Sequence, residues 1–301
     1  MTGAAERRAG PGSCDRDAAR DAGPRRRYAI GYMPTTVPEL APPSGDDDIP
    51  GWTDLLGLDL DELERRWAAR QSLPPMTAEE MTGADRRAQA VGVPGRLLME
   101  RAGTAAAAVA IALLASTERD PAAPVLVLAG PGNNGGDGFV VARRLARSGR
   151  RVIAVLVATE NRPRTPDAAA NWSRLGHETS VTLVHAPAPR DLAVLEPGIE
   201  RAGLVVDALL GTGVAGRLRE PVASGVRLCR AARTAGVPIL SIDCPTAVDL
   251  TSGDPSDPVV RAHVTVTFHR PKIGLLGGRG AALAGRVLVA PIGIPLEADR
   301  A

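Results

Sequence analysis

The sequence predicts an α/β domain built on a mostly parallel sheet with helices on both faces, and three observations lead there. Strand-length runs of Val, Leu and Ile recur at residues 125–128, 152–157, 181–184, 204–210, 238–242, 264–268 and 287–289. Helical stretches such as 139–147 and 221–234 separate most of them. Continuous apolar strands alternating with helices mark a sheet buried on both faces. A glycine-rich turn, Gly130 to Gly138, directly follows the first run. In such sheets ligands bind beyond the carboxyl ends of the strands, so the residues that close each run are the ones to read for chemistry.

The elements follow in order. Residues 1–50 are rich in Pro, Gly, Arg and Asp and bury too little apolar surface to offset the entropy of ordering, which predicts a disordered tail. Residues 51–75 predict a short amphipathic helix and a linker. Asp59 and Glu62 have capping-box spacing, and Leu56, Leu60, Leu63 and Trp67 share one helical face that packs on the chain's own domain. The main domain is predicted over 76–297. Thr77 as N-cap with Glu80 three residues on starts a helix, Gly92-Val93-Pro94-Gly95 breaks it, and a long Ala-rich helix begins near Leu97.

Composition narrows the function. A chain of 301 residues suffices for one large α/β domain. Aromatic residues make up only 2%, so Val, Leu, Ile and Ala must fill the core. A net charge of +2 speaks against general nucleic-acid binding. Of 36 basic residues only Lys272 is a lysine, which reads equally as a place where Arg does not serve and as a surface lysine kept by chance. Cys14, Cys229 and Cys244 form no CxxC pair, so neither a disulfide framework nor a zinc site is expected. The start of the chain has no apolar run for secretion and carries Glu6, Asp15, Asp17 and Asp21, unlike a presequence. The longest apolar run, 105–115, is too short to span a bilayer. A cytoplasmic protein without a membrane span is the expectation.

Four strand ends carry polar groups. After the first strand, Gly130, Gly132, Gly135, Gly136 and Gly138 interleave with Asn133, Asn134 and Asp137. The glycines allow a close approach by a ligand, and the next helix offers free N–H groups to a phosphate. The spacing formally satisfies GxGxxG, the fingerprint of an NAD-dependent dehydrogenase. That fingerprint also wants an acidic residue closing the second strand, and Glu160 comes late for it. Asp207 sits late in an apolar strand, where an unpaired carboxylate is costly, and Gly211-Thr212-Gly213 leads on to Gly216 and Arg217. Asp243 closes a third strand, with the Thr246 hydroxyl three residues later. His269-Arg270-Pro271-Lys272 follows a fourth.

In this order the motifs resemble the NAD(P)H-hydrate epimerase family, the YjeF N-terminal domain. The resemblance runs from Thr77-Ala78-Glu79-Glu80-Met81 through Leu98-Met99-Glu100-Arg101-Ala102-Gly103 to Pro131-Gly132-Asn133-Asn134-Gly135-Gly136-Asp137-Gly138, its most specific stretch. It continues through Asp207, Gly211-Thr212-Gly213, Asp243 to Asp249 and Pro271-Lys272-Ile273-Gly274-Leu275, and closes on Ile292-Gly293-Ile294-Pro295. It implies a Rossmann-like three-layer α/β/α sandwich, often dimeric, that interconverts (R)- and (S)-NAD(P)HX. By the same resemblance Asn133, Asn134, Gly135, Gly136, Asp137, Gly211, Thr212, Gly213, Val214, Ala215, Gly216, Arg217 and Asp243 contact the nucleotide, and Asn134, Asp207 and Thr246 hold a potassium ion. All three offer oxygen donors, as a hard cation prefers. A separate ADP- or ATP-dependent NAD(P)HX dehydratase is the expected pathway partner.

The chemistry needs no redox partner. The epimerising carbon bears a hydroxyl and the ring nitrogen, whose lone pair expels the hydroxyl to leave a planar iminium that water attacks from the other face. A carboxyl group must protonate the leaving oxygen and deprotonate the incoming water. Asp243 is the first candidate and Asp137 the second. Where the family shows Asp-Ile-Pro-Ser-Gly, this chain has Asp243-Cys244-Pro245-Thr246-Ala247. Thr246 keeps the hydroxyl, and Ala247 loses the freedom of a glycine at a place that can need φ > 0. Rival readings are a dehydrogenase, a non-catalytic binding module and an enzyme for another nucleotide-like substrate. Retention of Asp137, Asp207 and Asp243 favours an enzyme.

Overall fold

Seven parallel strands form one sheet in the computed structural model, which describes residues 52–212 and 216–299. They are β1 (Val125–Ala129), β2 (Val152–Leu156), β3 (Val181–His185), β4 (Leu204–Ala208), β5 (Ile239–Ile242), β6 (Val264–Phe268) and β7 (Arg286–Ala290). Their spatial order is β3-β2-β1-β4-β5-β6-β7, and every pairing is parallel. The expected "mostly parallel" sheet is thus parallel throughout the described residues. The chain runs outward from β1 to β3, then returns to place β4 on the other side of β1. That reversal opens a crevice between the β1 and β4 ends. The predicted tail at 1–50 lies outside the described residues, as do Gly213, Val214 and Ala215.

Alternation along each strand sends side chains to two helical layers. Val125, Val127 and Ala129 of β1 pack with α3 (Gly95–Ala115) and α4 (Asn133–Arg147), which follow α1 (Leu60–Gln71) and α2 (Ala78–Ala90). Leu126 and Leu128 face the opposite layer, α6 (Pro189–Ala193) and α7 (Val222–Thr234), through Leu192, Val226 and Leu228. The remaining helices are α5 (Pro166–Leu175) and α8 (Gly278–Ala284). The result is a Rossmann-like α/β/α sandwich.

Helix α3 revises one expectation. The apolar run at 105–115 continues a helix of 21 residues, long and apolar enough by length and composition to cross a membrane. Its mean hydropathy is 1.6, but 83% of that window is buried inside the fold, as befits a central core helix. Glu100 on α3 pairs with Arg143 and Arg144 on α4, all three buried, so the Leu98–Gly103 motif carries an ion-paired joint between helices. At Gly103 a Cβ would lie 2.3 Å from the Val140 Cβ, which is why the two helices can cross so closely.

Helix α1 starts at a complete Asp59–Glu62 capping box. Leu63 and Trp67 are buried in the main core, with Leu56 and Leu60 packed against it. Arg286 on β7 reaches Glu64 and Asp61 of α1, which fastens the helix beside the last strand of the sheet. Helix α2 starts at the Thr77–Glu80 capping box. Met76 just before it donates to the Pro271 carbonyl at 2.8 Å, and its own carbonyl accepts from Ile273 at 3.0 Å, tying the start of the domain to the loop after β6.

Candidate active site

The glycine-rich stretch is largely helix. α4 begins at Asn133, so Gly135, Gly136 and Gly138 belong to its first turns, whereas the sequence suggested a turn up to Gly138. None of these glycines has a positive φ. They are needed for close packing: a Cβ at Gly130 would fall 1.9 Å from the Leu209 carbonyl oxygen, and one at Gly135 1.9 Å from that of Gly130. The glycines pull α4 down onto β4, and this aims the side chains of Asn134 and Asp137 into the crevice.

The crevice is a cleft of about 470 Å³. Asn133, Asn134 and Asp137 line it from the β1 side, and Gly211, Thr212 and Asp243 from the β4 and β5 side. Leu98, Met99, Leu209, Leu210, Phe268 and Ile292 supply its apolar surface. Gly135 and Gly136 are buried beneath. Gly216 and Arg217 are exposed, beyond the residues not described. Asp207 and Thr246 are fully buried and do not line the cleft. Helix α2 adds a wall that sequence reasoning missed, with Asp85 and Gln89 facing the site and the Gln89 amide donating to Asp85 at 2.9 Å. An Asp and a Gln four residues apart on one helix face was the available signal.

The two sides differ in hydrogen bonding. Both polar atoms of the Asn134 carboxamide are buried without a partner among the described residues. Burial pushes the Asp137 carboxyl well above the usual carboxylate range, and the charges of Asp243 and Asp85 push it further. Asp85 is also raised by burial. Asp207, by contrast, accepts from the Thr246 hydroxyl at 2.6 Å, the Thr246 N–H at 2.8 Å, Ser241 Oγ at 2.8 Å and the Leu209 N–H at 3.3 Å. Burial still raises it, and those four donors hold it down.

Asp243 follows β5 at φ 65°. Its Oδ2 accepts from the Thr212 N–H at 3.2 Å and its Oδ1 from the Thr267 hydroxyl at 3.2 Å. Lys272 is fully buried and donates to Thr267 Oγ1 (3.0 Å), Phe268 O (2.7 Å) and Arg270 O (2.9 Å). Its Nζ is 4.0 Å from Asp243 Oδ1. Burial lowers its pKa, against the opposing pull of Asp243. Ala247 stands at φ 77°, the left-handed region expected for the glycine it replaces.

A cation site is compatible with these groups. The Thr246 hydroxyl oxygen lies 2.6 Å from Asp207 Oδ1 and 3.3 Å from the Leu210 carbonyl oxygen, so three oxygens gather under the cleft. The partnerless Asn134 carboxamide lies beside Gly211, at whose Cβ position its Cγ would be 3.2 Å away. A larger hollow, about 1010 Å³, lies at the opposite end of the sheet, bounded by Pro124, Arg151, Pro238 and His263, which precede strands. Its Arg119 is already engaged with the carbonyls of Ala202, Gly236 and Glu200, and no polar group there calls for a ligand as Asn134 does.

A parallel sheet in the doubly wound strand order, with a carboxylate-lined cleft at its reversal, defines an α/β protein of the Rossmann-like class. The profile of the family described as YjeF-related protein N-terminus matches residues 95–274. The chain belongs to that family. It is 36% identical over 226 residues to the NAD(P)H-hydrate epimerase of Cenarchaeum symbiosum, covering 75% of this chain and 98% of that one. It is 38% identical over 224 residues to the bifunctional NAD(P)H-hydrate repair enzyme Nnr of Pyrobaculum aerophilum, covering 74% of this chain and 42% of that one. The chain therefore spans about two fifths of that bifunctional relative's length. The crystal structure of the yeast protein ynu0 is similar at a TM-score of 0.58 and 27% identity, over 67% of this chain and 83% of that one.

Proposed function

We propose that this chain epimerises the R and S hydrates of NADH and NADPH, as the names of its relatives suggest. The observation that carries the reading is the facing of Asp137 and Asp243 in one cleft at the sheet's reversal. Asp137, whose pKa is pushed up by burial and by the charges of Asp243 and Asp85, can give a proton to the departing hydroxyl. The ring nitrogen's lone pair then forms the C=N bond as the C–O bond breaks and water leaves. Asp243, held by Thr212 and Thr267, takes a proton from the water that adds to the opposite face. Proton exchange between the two carboxyls restores the start, and the reverse reaction exchanges their roles. Apolar walls around the ring limit other water.

Asn134, Asp207 and Thr246 are the proposed potassium ligands. The ion would supply positive charge beside a buried carboxylate and fix the lip on which Asn134 stands. The glycine-edged α4 terminus at Asn133 to Asp137, with Gly211 and Thr212 opposite, would seat the nucleotide. A separate nucleotide-dependent dehydratase would consume the S form, and the protein would act as a homodimer in the cytoplasm. The dehydrogenase reading loses support because Glu160 is exposed and turned onto Thr159 and Arg164.

The test gives the purified protein mixed NADHX epimers and a purified S-specific dehydratase. Accelerated, potassium-dependent consumption of the R form is expected. R-form consumption at the uncatalysed rate, at every potassium concentration, would overturn the reading.

A further inference from the structure

Lys272 is a buried cation beside the Asp243 carboxylate. It is the chain's only lysine and is fully buried. Its ammonium has three donors, and all three are engaged: two carbonyls, of Phe268 and Arg270, and the Thr267 hydroxyl oxygen. A planar guanidinium cannot point three N–H groups from one atom at acceptors gathered around it, whereas an ammonium can. The third bond has a consequence for its neighbour. A hydroxyl has one hydrogen. With its oxygen accepting from Lys272, the Thr267 hydroxyl directs that hydrogen to Asp243 Oδ1, 3.2 Å away. Asp243 Oδ1 is thereby fixed on the inner side, 4.0 Å from the ammonium. Oδ2 is left at the cleft, beside Thr212 and 3.1 Å from the place a Gly211 Cβ would occupy.

We propose that Lys272 and Thr267 are positioning residues that orient the Asp243 carboxylate, holding Oδ1 on the inner side so that Oδ2 is the oxygen turned toward the substrate. The proposal rests on the epimerase reading for its kinetic consequence, not for its geometry. Asp243 and His269 both stand in the left-handed region, φ 65° and 67°, so the chain turns just after β5 and after β6, where Asp243, Thr267 and Lys272 meet.

The test compares Thr267→Val, which keeps shape and removes the hydroxyl, with Thr267→Ser, which restores it. Thr267→Val is expected to lower kcat for NADHX epimerisation about tenfold with KM within about twofold of the parent. Thr267→Ser should recover most of that loss. In protein labelled with ¹³C at aspartate carboxyls, the Asp243 resonance, assigned by its loss in Asp243→Asn, should move in Thr267→Val and return in Thr267→Ser. An unchanged resonance in folded Thr267→Val overturns the proposal, as does a kcat loss that Thr267→Ser does not repair. If the parent protein fails to turn over NADHX, the epimerase reading falls, and the resonance still decides the orientation. Lys272→Met, if folded, should match Thr267→Val.

Discussion

The two lips of the cleft are built on opposite principles. The β1–α4 lip is packed by backbone: glycines let α4 touch β4, the Asn134 carboxamide is left without a partner among the described residues, and the Asp137 carboxyl is pushed above its usual range. The β4–β5–β6 lip is packed by hydrogen bonds: Asp207 accepts four and Lys272 donates three. Groups already satisfied hold a shape, and groups left unsatisfied wait for a ligand. The difference sorts the conspicuous residues into those left open toward the cleft, Asn134 and Asp137, and those already held by hydrogen bonds, Asp207, Thr246, Thr267 and Lys272. Asp243 stands between the two, with one oxygen on each side.

Substitutions on the two lips should therefore behave differently. The largest effect on activity without loss of fold is expected for Asp137→Asn, about a hundredfold or more in kcat. The same variant should also alter the pH dependence of stability. A carboxyl raised in the folded state binds its proton more tightly there than in the unfolded chain. Its contribution is therefore complete below the ordinary carboxylate range and is lost as pH rises through the folded value. Urea unfolding from pH 4 to 8 should show the parent losing stability more steeply than Asp137→Asn, and superimposed profiles would remove Asp137 from the buried protonated role. Asp207→Ala, on the satisfied lip, should cost about 3 kcal/mol in the same assay, because four donors lose their acceptor in a dry place.

Smaller effects sharpen the contrast. Asn134→Ala should raise stability by about 1 kcal/mol, since it removes a buried carboxamide with no partner, and should abolish potassium activation of turnover. A loss of stability there would mean that the first lip is as structural as the second. Ala247→Gly relieves a left-handed alanine at φ 77° and should add about 1 kcal/mol of stability by thermal unfolding.

Most of the fold was legible because apolar strand runs and their spacing are local signals. The site was legible in its residue types, since Asn134, Asp137, Asp207, Asp243 and Thr246 stand at strand ends where an α/β sheet puts its ligands. The start of α4 was not, because glycines at 135, 136 and 138 read locally as a turn, and only their contacts with Gly130, Met99 and Ala208 show why a helix needs them. Depth was not legible either. The sequence set Asp207 and Thr246 beside Asp243 as site residues, but pairing of β4 with β5 places them a layer below. Thr267 passed as an ordinary strand residue, and Asp85 as an ordinary helix-surface one. The cleft carboxylates they face, Asp243 for Thr267 and Asp137 for Asp85, are 24 or more residues away in sequence.

The central claim is that proton transfer by the Asp137–Asp243 pair interconverts the two hydrates. Its most direct test starts from the pure R form of NADHX and follows the S form by chromatography, with the parent protein and with Asp243→Asn. Rapid equilibration is expected for the parent, and a rate lower by about a hundredfold or more in the variant, with unchanged melting. Full-rate equilibration by Asp243→Asn would contradict the claim.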